Sequence, residues 1–353
     1  MDVISLARGV PAPECLAVDA LAECAKAVLE ADGTTILSYG PGAGYGPLRN
    51  WLADRHGVDA SRVLITNGSL QGFVLLAQHL APGRRVLVEN PTYDRPLKIL
   101  RELGADVVAL DMDDEGLIPE ALEAALAEGD APAFLYTIPT FQNPSGRTLT
   151  TERRRRIAEI ATAANLLVLE DDPYGLVRYE GEPEPSLFEL TGGKVIYSSS
   201  FSKTIAPGLR VGWFVLPEKL AAELAASATA TYITPVLLGQ ATVYEFIRRG
   251  LFEPNVERVA GLLRGRRDAM LEALAEHLPG ARWSHPAGGY FVWLELPEGT
   301  DASAVLARAA SGVIAVPGTD CGGAPNTIRL AFSYVTPAEI HEGIRRLAAA
   351  ISA

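Results

Sequence analysis

The chain has 353 residues, of which 48% are hydrophobic and 21% are charged. Chains of this length usually form two domains, and this hydrophobic content is enough for a substantial core. The formal net charge of −12 disfavours binding to nucleic acid or to an anionic membrane, because both carry negative charge. No stretch reaches the roughly 18–20 apolar residues of a membrane span, so we expect no membrane partner.

The cysteine and histidine residues show no pattern typical of a disulfide framework or a metal site. Cys15, Cys24 and Cys321 include no CxxC pair, and the histidines lack metal-ligand spacing. The first residues, MDVISLARGVPAPE, lack the basic and then apolar pattern of a signal peptide. These features predict a cytoplasmic protein without a bound metal ion.

Short apolar runs alternate with helical patterns through the middle of the chain. Strands are predicted at 62–66, 84–90, 105–110, 131–139, 165–172 and 194–200. Their cores are apolar without alternation, which is typical of parallel strands covered on both faces. A helix is predicted from about residue 151, where Thr150 or Thr151 can cap it. The pattern predicts a large α/β domain over residues 39–248, with a mostly parallel sheet flanked by helices.

The C-terminal third follows a different pattern. A long helix from about Asn255 to Leu278 precedes three predicted strands and a final helix over 336–351. This order is typical of an α+β unit. The smaller domain is therefore predicted to comprise residues 249–353 together with residues 1–38, which show no strand partner nearby. Four consecutive arginines, Arg153–Arg156, point around the whole circumference of a helix, which favours a solvated helix over a nucleic-acid site.

Polar residues follow almost every predicted strand of the large domain. These residues are Asn67-Gly68-Ser69, Tyr93, Asn143, Asp171-Asp172 with Tyr174, and Ser198 to Lys203. In open α/β sheets, ligands bind at the carboxyl ends of the strands, and a helix N-terminus there favours an anion. A lysine can condense with an aldehyde, and an acid can hold a pyridine nitrogen protonated. An amide with a phenol can bind a phenolate oxygen. Together with Arg210 for a phosphate group, these are the requirements of pyridoxal phosphate.

The segment SSSFSKTIAPGLRVGW, at 198–213, resembles the cofactor-lysine segment of the fold-type I pyridoxal-phosphate enzymes, the class I/II aminotransferases. Further motifs occur in the order of that family: SLARGVPAPE, YGPGAGYGPLR, ITNGSLQGF, VENPTY, PTFQNPSG, LEDDPYG, GGYFVWLELP and NTIRLAFS. The chain is most similar to the branch of 2-aminoadipate and kynurenine-type aminotransferases. The resemblance implies amino-group transfer between an L-amino acid and a 2-oxo acid, with glutamate and 2-oxoglutarate expected as one pair.

The resemblance also implies roles for the cofactor-binding residues. Lys203 matches the lysine that forms a Schiff base with the cofactor and then moves the substrate proton, and Asp171 matches the acid that pairs with the pyridine nitrogen. Tyr174 and Asn143 match the pair that binds the ring oxygen, and Tyr93 matches the aromatic residue that stacks on the ring. The implied phosphate ligands are Gly68, Ser69, Leu70, Gln71, Ser200, Ser202 and Arg210.

The remaining implied roles concern the substrate and a second subunit. Arg329 matches the arginine that binds the substrate α-carboxylate, and the backbone of Gly9 approaches the substrate, as does Asn143. Tyr45 matches a tyrosine that reaches the phosphate of a neighbouring subunit, which implies a homodimer with shared active sites. Arg8 precedes Gly9 and is expected either to bind a distal carboxylate of the substrate or to point to solvent, where it could pair with an acid such as Glu14.

The chain departs from the family in three places, of which the first two concern recognition of the substrate. The residues that usually precede SLARGVP are missing, Arg8 stands where relatives commonly have a small residue, and the phosphate loop reads GSLQG where GSQQA is more usual. Two enzyme classes stay open: an aminotransferase, or a non-transaminating pyridoxal-phosphate enzyme such as an amino-acid oxidase, hydroxylase or cyclase of natural-product biosynthesis. A third hypothesis, the sensing domain of a regulator, is not favoured, because no DNA-binding extension is expected here.

Overall fold

The computed structural model describes residues 2–352. The helices are α1 Val18–Ile36, α2 Gly46–His56, α3 Ser69–Leu80, α4 Asp94–Glu102, α5 Pro119–Ala127, α6 Thr151–Ala163, α7 Leu187–Leu190, α8 Glu218–Tyr232, α9 Leu237–Arg248, α10 Phe252–His277, α11 Ala302–Ala309 and α12 Pro337–Ser352. The strands are β1 Ile4–Ser5, β2 Val63–Thr66, β3 Arg85–Asn90, β4 Asp106–Asp113, β5 Gly116–Leu117, β6 Phe134–Thr137, β7 Val168–Asp171, β8 Ile196–Ser200, β9 Gly212–Val215, β10 Arg282–Trp283, β11 Phe291–Glu295, β12 Val313–Ile314, β13 Val316–Pro317 and β14 Thr327–Ala331.

A large sheet with the order β2-β9-β8-β7-β6-β3-β4-β5 forms the centre of the structure. The neighbours from β8 through β4 pair in parallel, while β9 is antiparallel to both β2 and β8. The predicted α/β class with a mostly parallel sheet is confirmed. The strand β9 was missing from the prediction, because it begins within the lysine segment. In the sheet it lies between β2 and β8, the first and the last of the strands predicted for the large domain.

Helices cover both faces of this sheet, as the unbroken apolar strands require. Successive residues of β3 show the arrangement: Val86 and Val88 pack with α3, α4 and α8, while Leu87 between them packs with α5 and α6. This alternation follows from the two-residue period of a strand. Because the helices bury both faces, the ends of the strands are where the sheet is open to a ligand.

The C-terminal part forms a second, smaller sheet with the order β10-β11-β14-β13, which shares a hydrophobic core with α10 and α12. From the N-terminal segment, β1 pairs in parallel with β12, so this strand joins the smaller unit. The helix α1 instead lies against α9, and its Cys24 is buried with residues of the large sheet such as Val63. The division at residues 38/39 and 248/249 stays a prediction, and these contacts place α1 beside the large domain.

The arginine run on α6 differs from the solvated helix that the pattern predicts. Thr150 is the N-cap and accepts a hydrogen bond from the backbone of Arg153, as one of the two predicted caps. Arg154, however, is only 1% exposed and donates to the carbonyls of Leu149 and Pro139 and to the hydroxyl of Thr140. Its guanidinium therefore holds the loop after β6 in place. Among residues 2–352, no helix is long and apolar enough to cross a membrane.

Candidate active site

One cavity lies at the carboxyl ends of the central strands, where the sequence predicts a ligand. Predicted site residues that line it are Gly9, Gly68, Ser69, Leu70, Tyr93, Asn143, Asp171, Tyr174, Ser200, Ser202, Lys203, Arg210 and Arg329. They come from both units of the fold: most follow strands of the large sheet, whereas Gly9 follows β1 and Arg329 lies on β14. The cavity therefore lies between the two sheets.

Asp171 is the last residue of β7 and turns its carboxylate into the cavity. Its Oδ2 accepts a hydrogen bond of 2.9 Å from the phenol of Tyr136, and its Oδ1 is buried without a hydrogen-bond partner. Burial raises the pKa of this carboxyl to about 6, although the nearby hydroxyl groups of Tyr136 and Ser198 lower it. The carboxylate at the wall of the cavity thus has one oxygen without a hydrogen-bond donor, which is suited to a cationic N–H group.

Lys203 lies across the cavity in the turn that follows β8. Its Nζ donates a hydrogen bond of 2.9 Å to the carbonyl oxygen of Gly9 and lies 5.0 Å from the ring centroid of Tyr290. Removal from water, together with the positive charges of Arg329 and Arg210, lowers the pKa of this amine to about 8. An appreciable fraction of the amine is therefore unprotonated near neutral pH, which a nucleophile or a general base requires.

Hydroxyl groups, a helix N-terminus and a guanidinium form one end of the cavity. Ser69 begins α3, and the hydroxyls of Ser200 and Ser202 lie 2.7 Å apart. Arg210 donates to the carbonyl of Asn67 and packs on Gly68, where an added Cβ would lie 2.1 Å from its Nη2. Gly68 has a φ of 89°, so glycine is required here both for the backbone conformation and for the close approach of Arg210. Donors of this kind suit a phosphate group.

Arg329 lies at the other end of the cavity and is 8% exposed. Its Nη1 donates a hydrogen bond of 3.0 Å to Oδ1 of Asn143, and its Nη2 donates to the carbonyl of Ala7. Its Nε is buried without a partner, and the guanidinium lies 4.6 Å from the ring centroid of Phe291. Phe291 also packs on Gly9, where an added Cβ would lie 2.5 Å from the ring. A fixed guanidinium of this kind can bind a carboxylate through two parallel hydrogen bonds.

The sequence comparisons agree with this geometry. Residues 2–347 match the family model described as aminotransferase class I and II. The aromatic-amino-acid aminotransferase 1 of Thermococcus litoralis is 38% identical, over 99% of this chain and 88% of that protein. The 2-aminoadipate transaminase of Thermus thermophilus is also 38% identical, over 99% of this chain and 90% of that protein. The chain belongs to the class I and II aminotransferases.

A solved structure adds the cofactor to this family assignment. The alpha-aminoadipate aminotransferase of Thermus thermophilus, complexed with N-(5'-phosphopyridoxyl)-L-leucine, superimposes with a TM-score of 0.95 at 36% identity, over 99% of this chain and 92% of that one. The protein is a pyridoxal-phosphate-dependent aminotransferase of fold type I, as the motifs predicted. Amino-group transfer is accordingly favoured over the oxidase, hydroxylase or cyclase alternative.

The residues that line the cavity of this aminotransferase fit pyridoxal phosphate. The unpartnered Oδ1 of Asp171 suits a protonated ring nitrogen, since a buried carboxylate oxygen without a donor is costly by itself. The hydroxyls near α3 suit the phosphate, and the amine of Lys203 suits the aldehyde. Tyr174, 4% exposed, and the half-buried Tyr93 line the cavity between these ends. Burial raises the pKa of both phenols, to about 12 for Tyr93, so both stay protonated.

Three predicted site residues lie away from the cavity. Arg8 is exposed, and its guanidinium stacks on Tyr334 with its Cζ 4.8 Å from the ring centroid. The suggested partner of Arg8, Glu14, instead forms an ion pair with Arg266. The Oε1 of Gln71 accepts a hydrogen bond of 2.9 Å from the backbone of Asn67, so this side chain holds the phosphate loop from outside. The third residue is Tyr45.

Tyr45 packs inside its own protomer rather than at the cofactor cavity. It is the N-cap residue of α2, its backbone N–H donates to Gln240, and its ring packs edge-to-face on Tyr244 with centroids 6.2 Å apart. The exposed tyrosine of the same glycine-rich segment is Tyr39, which is 80% exposed. Since Tyr39 and Tyr45 share one loop, the motif could not decide between them, and exposure is the property that separates them.

The structure also reveals residues that the sequence did not indicate. Tyr136 lies on β6, fully buried, and donates to Asp171. Gln142 donates to Glu89 and to the carbonyl of Pro91, and accepts from the backbone of Ser145, so it ties the end of β3 to the loop that carries Asn143. A tyrosine within an apolar strand and a glutamine before an asparagine carry no distinctive pattern, so no signal in the sequence could have found either residue.

Proposed function

We propose that this aminotransferase moves the amino group between an L-amino acid and a 2-oxo acid, with glutamate and 2-oxoglutarate as one substrate pair. The observation that carries the proposal is the position of Lys203 and Arg329 in one cavity, together with the bare oxygen of Asp171. Pyridoxal phosphate, when bound, supplies the electron sink that stabilises negative charge developing at the substrate Cα.

Lys203 is proposed to carry the proton at the substrate Cα. Its lowered pKa of about 8 allows the neutral amine to act as base and the ammonium to act as acid near neutral pH. The carbonyl of Gly9 accepts a hydrogen bond from Nζ, which holds the amine at the same place in the cavity. The ring faces of Tyr174 and Tyr290, at 5.6 and 5.0 Å, stabilise its charged form.

Arg329 is proposed to bind the substrate α-carboxylate and so to orient the Cα–H bond toward Lys203. Its contact with Oδ1 of Asn143 leaves the amide nitrogen of Asn143 free for the cofactor ring oxygen, beside the phenol of Tyr174. Tyr93 is proposed to cover one face of the ring. Ser69, Ser200, Ser202 and Arg210, with the backbone of Gly68 and Leu70, are proposed to hold the phosphate.

The substrate experiment uses the purified holoenzyme and a panel of amino acids, each with 2-oxoglutarate. The panel contains 2-aminoadipate, kynurenine and tyrosine, which represent the names of the relatives, and alanine and arginine as neutral and basic comparisons. Formation of glutamate and of the matching 2-oxo acid in equal amounts supports transamination. Formation of 2-oxo acid without 2-oxoglutarate, accompanied by oxygen uptake, would contradict it.

The predicted role of Arg8 in binding a distal carboxylate of the substrate needs a separate test, since Arg8 does not line the cavity. Arg8→Ala is compared with wild type for glutamate, alanine and arginine. A selective loss of kcat/KM for glutamate, corresponding to about 1–3 kcal/mol, supports a charge pair between Arg8 and the substrate. An equal change for all three substrates removes Arg8 from the specificity determinants.

We further propose that the protein is a two-fold homodimer with shared active sites, located in the cytoplasm. An exposed apolar patch supports the dimer: Leu37, Tyr39, Ile233 and Val236 are 71%, 80%, 53% and 52% exposed. The patch comes from two segments of the chain, which meet where the backbone N–H of Gly40 donates to the hydroxyl of Thr234. The backbone N–H of Val236 donates to the side chain of Asn67, beside the phosphate end of the cavity. A partner that covers this patch would lie next to the cofactor.

The proposed cytoplasmic location agrees with the state of the cysteines. The three cysteines, all free thiols and buried, are compatible with a reducing compartment.

Mixed dimers test this assembly and decide between the two tyrosines. Tyr39→Ala and Lys203→Ala are purified separately, mixed under conditions that exchange subunits, and assayed. A shared site restores about a quarter of wild-type activity, since half of the dimers are hybrids with one intact site. Tyr45→Ala is treated in the same way. Restoration with Tyr39 alone assigns the contact to Tyr39, restoration with Tyr45 alone assigns it to Tyr45, and a fully active monomer in sedimentation contradicts the dimer.

A further inference from the structure

The two carboxylate oxygens of Asp171 have different surroundings. Oδ2 accepts the hydrogen bond from Tyr136, at 2.9 Å, while Oδ1 has no partner and is buried. Tyr136 is 0% exposed, and its ring is held edge-to-face on Phe73 with centroids 5.3 Å apart. Both rings stand on elements packed against the cavity, so the phenol has little freedom to move away from the carboxylate.

We propose that Tyr136 is a positioning residue that fixes the Asp171 side chain by binding Oδ2, so that Oδ1 stays directed at the nitrogen of the cofactor ring. The inference rests on the proposed role of Asp171. A carboxylate can rotate about its bond to Cβ, and a single donor on one oxygen removes that freedom. The phenol also holds the negative charge on a group that burial would otherwise protonate.

Burial changes the pKa values of both Asp171 and Tyr136. Burial raises the pKa of Asp171 to about 6, although the Tyr136 hydrogen bond lowers it. Burial and the charge of Asp171 raise the pKa of the Tyr136 phenol well above its ordinary value, so the proton stays on the phenol. Without this donor, the acid would be protonated over more of the neutral range, and a neutral acid does not favour a protonated pyridine ring.

The neighbouring residue Asp172 provides a matched control. Its Oδ2 accepts a hydrogen bond of 2.9 Å from the phenol of Tyr197, the same length as the bond between Tyr136 and Asp171. Asp172 also accepts from the backbone N–H of Gly175, and it does not line the cavity. Tyr136→Phe and Tyr197→Phe therefore remove the same kind of bond from adjacent carboxylates, of which one faces the cofactor site.

The experiment compares the affinities of the cofactor-free protein for pyridoxal phosphate and for the analogue in which a CH group replaces the ring nitrogen. Both ligands carry the same aldehyde and phosphate, so the ratio of their dissociation constants reports the contact at the nitrogen. Wild type is expected to prefer pyridoxal phosphate. Tyr136→Phe is expected to reduce this preference by roughly tenfold or more, the effect of one charge-assisted hydrogen bond, while Tyr197→Phe retains it.

Kinetics of the holoenzyme provide a second measurement. Tyr136→Phe is expected to lower kcat and to leave KM for the amino acid close to that of wild type, because Arg329 still binds the carboxylate. A merely structural loss would lower the thermal stability of both tyrosine variants without changing the affinity ratio. A Tyr136→Phe protein with the wild-type affinity ratio and kcat would overturn the proposal.

Asp171→Asn separates this inference from the proposed function on which it rests. If Asp171→Asn abolishes the preference for the ring nitrogen and Tyr136→Phe does not change it, the role of Asp171 holds and that of Tyr136 is wrong. If Asp171→Asn itself retains the full preference, the proposed contact between Asp171 and the ring is wrong, and the positioning role of Tyr136 is wrong with it.

Discussion

Replacement of the active-site lysine by methionine is expected to stabilise the cofactor-free protein below about pH 8. Lys203 has its pKa lowered from 10.5 to about 8, first by removal from water and then by the charges of Arg329 and Arg210. The unfolded chain therefore binds more protons than the folded one between these two values, so stability rises with pH across that window and the lysine is destabilising below it. Lys203→Met removes the charge and retains most of the side-chain volume.

The size of the effect follows from the two pKa values. The difference between 10.5 and about 8 corresponds to about 3 kcal/mol at pH 7, which is an upper value because the hydrogen bond to Gly9 is lost as well. At pH 9.5 the folded amine is already neutral and the pH lies closer to 10.5, the pKa of the unfolded amine, so the advantage of Lys203→Met is smaller by about 2 kcal/mol than at pH 7. The pH dependence is thus the diagnostic quantity, since the loss of packing and of the hydrogen bond does not vary with pH.

Urea unfolding of the cofactor-free proteins at pH 7, 8.5 and 9.5 measures this difference. Lys194→Met, at an exposed lysine, controls for the general change in net charge. The expected result is a free-energy gain for Lys203→Met that shrinks steadily as the pH rises, with no matching trend for Lys194→Met. A gain that stays constant from pH 7 to 9.5 would refute the lowered pKa and, with it, the argument that Lys203 is prepared to act as a base.

Asp171→Asn is expected to raise the barrier for Cα deprotonation by on the order of several kcal/mol in single-turnover kinetics, whereas Asp172→Asn, which alters a carboxylate outside the cavity, should change it far less. Arg329→Lys should lower kcat/KM for every amino acid by at least tenfold, because the ammonium group cannot form two parallel hydrogen bonds, each worth about 1.5–3 kcal/mol. His56 has its pKa lowered from 6.5 to about 4, mainly by burial. Between pH 7 and pH 5, the free energy of unfolding of wild type should therefore fall by about 2 kcal/mol relative to that of His56→Phe.

The sequence predicted the central sheet because its strands are apolar on both faces, which leaves a strong and distinctive pattern. The strand β9 escaped this pattern. Its four residues begin within the lysine segment, and its antiparallel direction depends on where the chain can turn. The placement of α1 depends on a tertiary contact with α9 rather than on its own residues. Local pattern thus indicated the layers of the fold, while the order at the sheet edge required the folded chain.

Most of the cavity was predictable for a simple reason. Parallel strands bring their carboxyl ends to one edge, so residues that directly follow these strands must converge. Arg8 and Tyr45, whose roles stay predictions, lie in loops, where the direction of a side chain is decided by its neighbours. Arg8 turns to Tyr334, and Tyr45 turns to Tyr244. Neither contact leaves a sign in the spacing of the sequence.

The choice between Asp171 and Asp172 shows what a structure adds to a motif. Four carboxylates lie near the ends of β3 and β7. In the described part of the chain, three of them accept hydrogen bonds on both oxygens: Glu89 from Thr137, Ile138 and Gln142, Glu170 from the N-terminus of α7, and Asp172 from Tyr197 and Gly175. Asp171 alone among the four retains an oxygen without a donor. A buried acceptor left in this way costs folding free energy, so its position at the cavity is explained by a donor that arrives with the cofactor. The motif contains two adjacent acids of equal appearance, and the unsatisfied oxygen distinguishes the one that binds the ring.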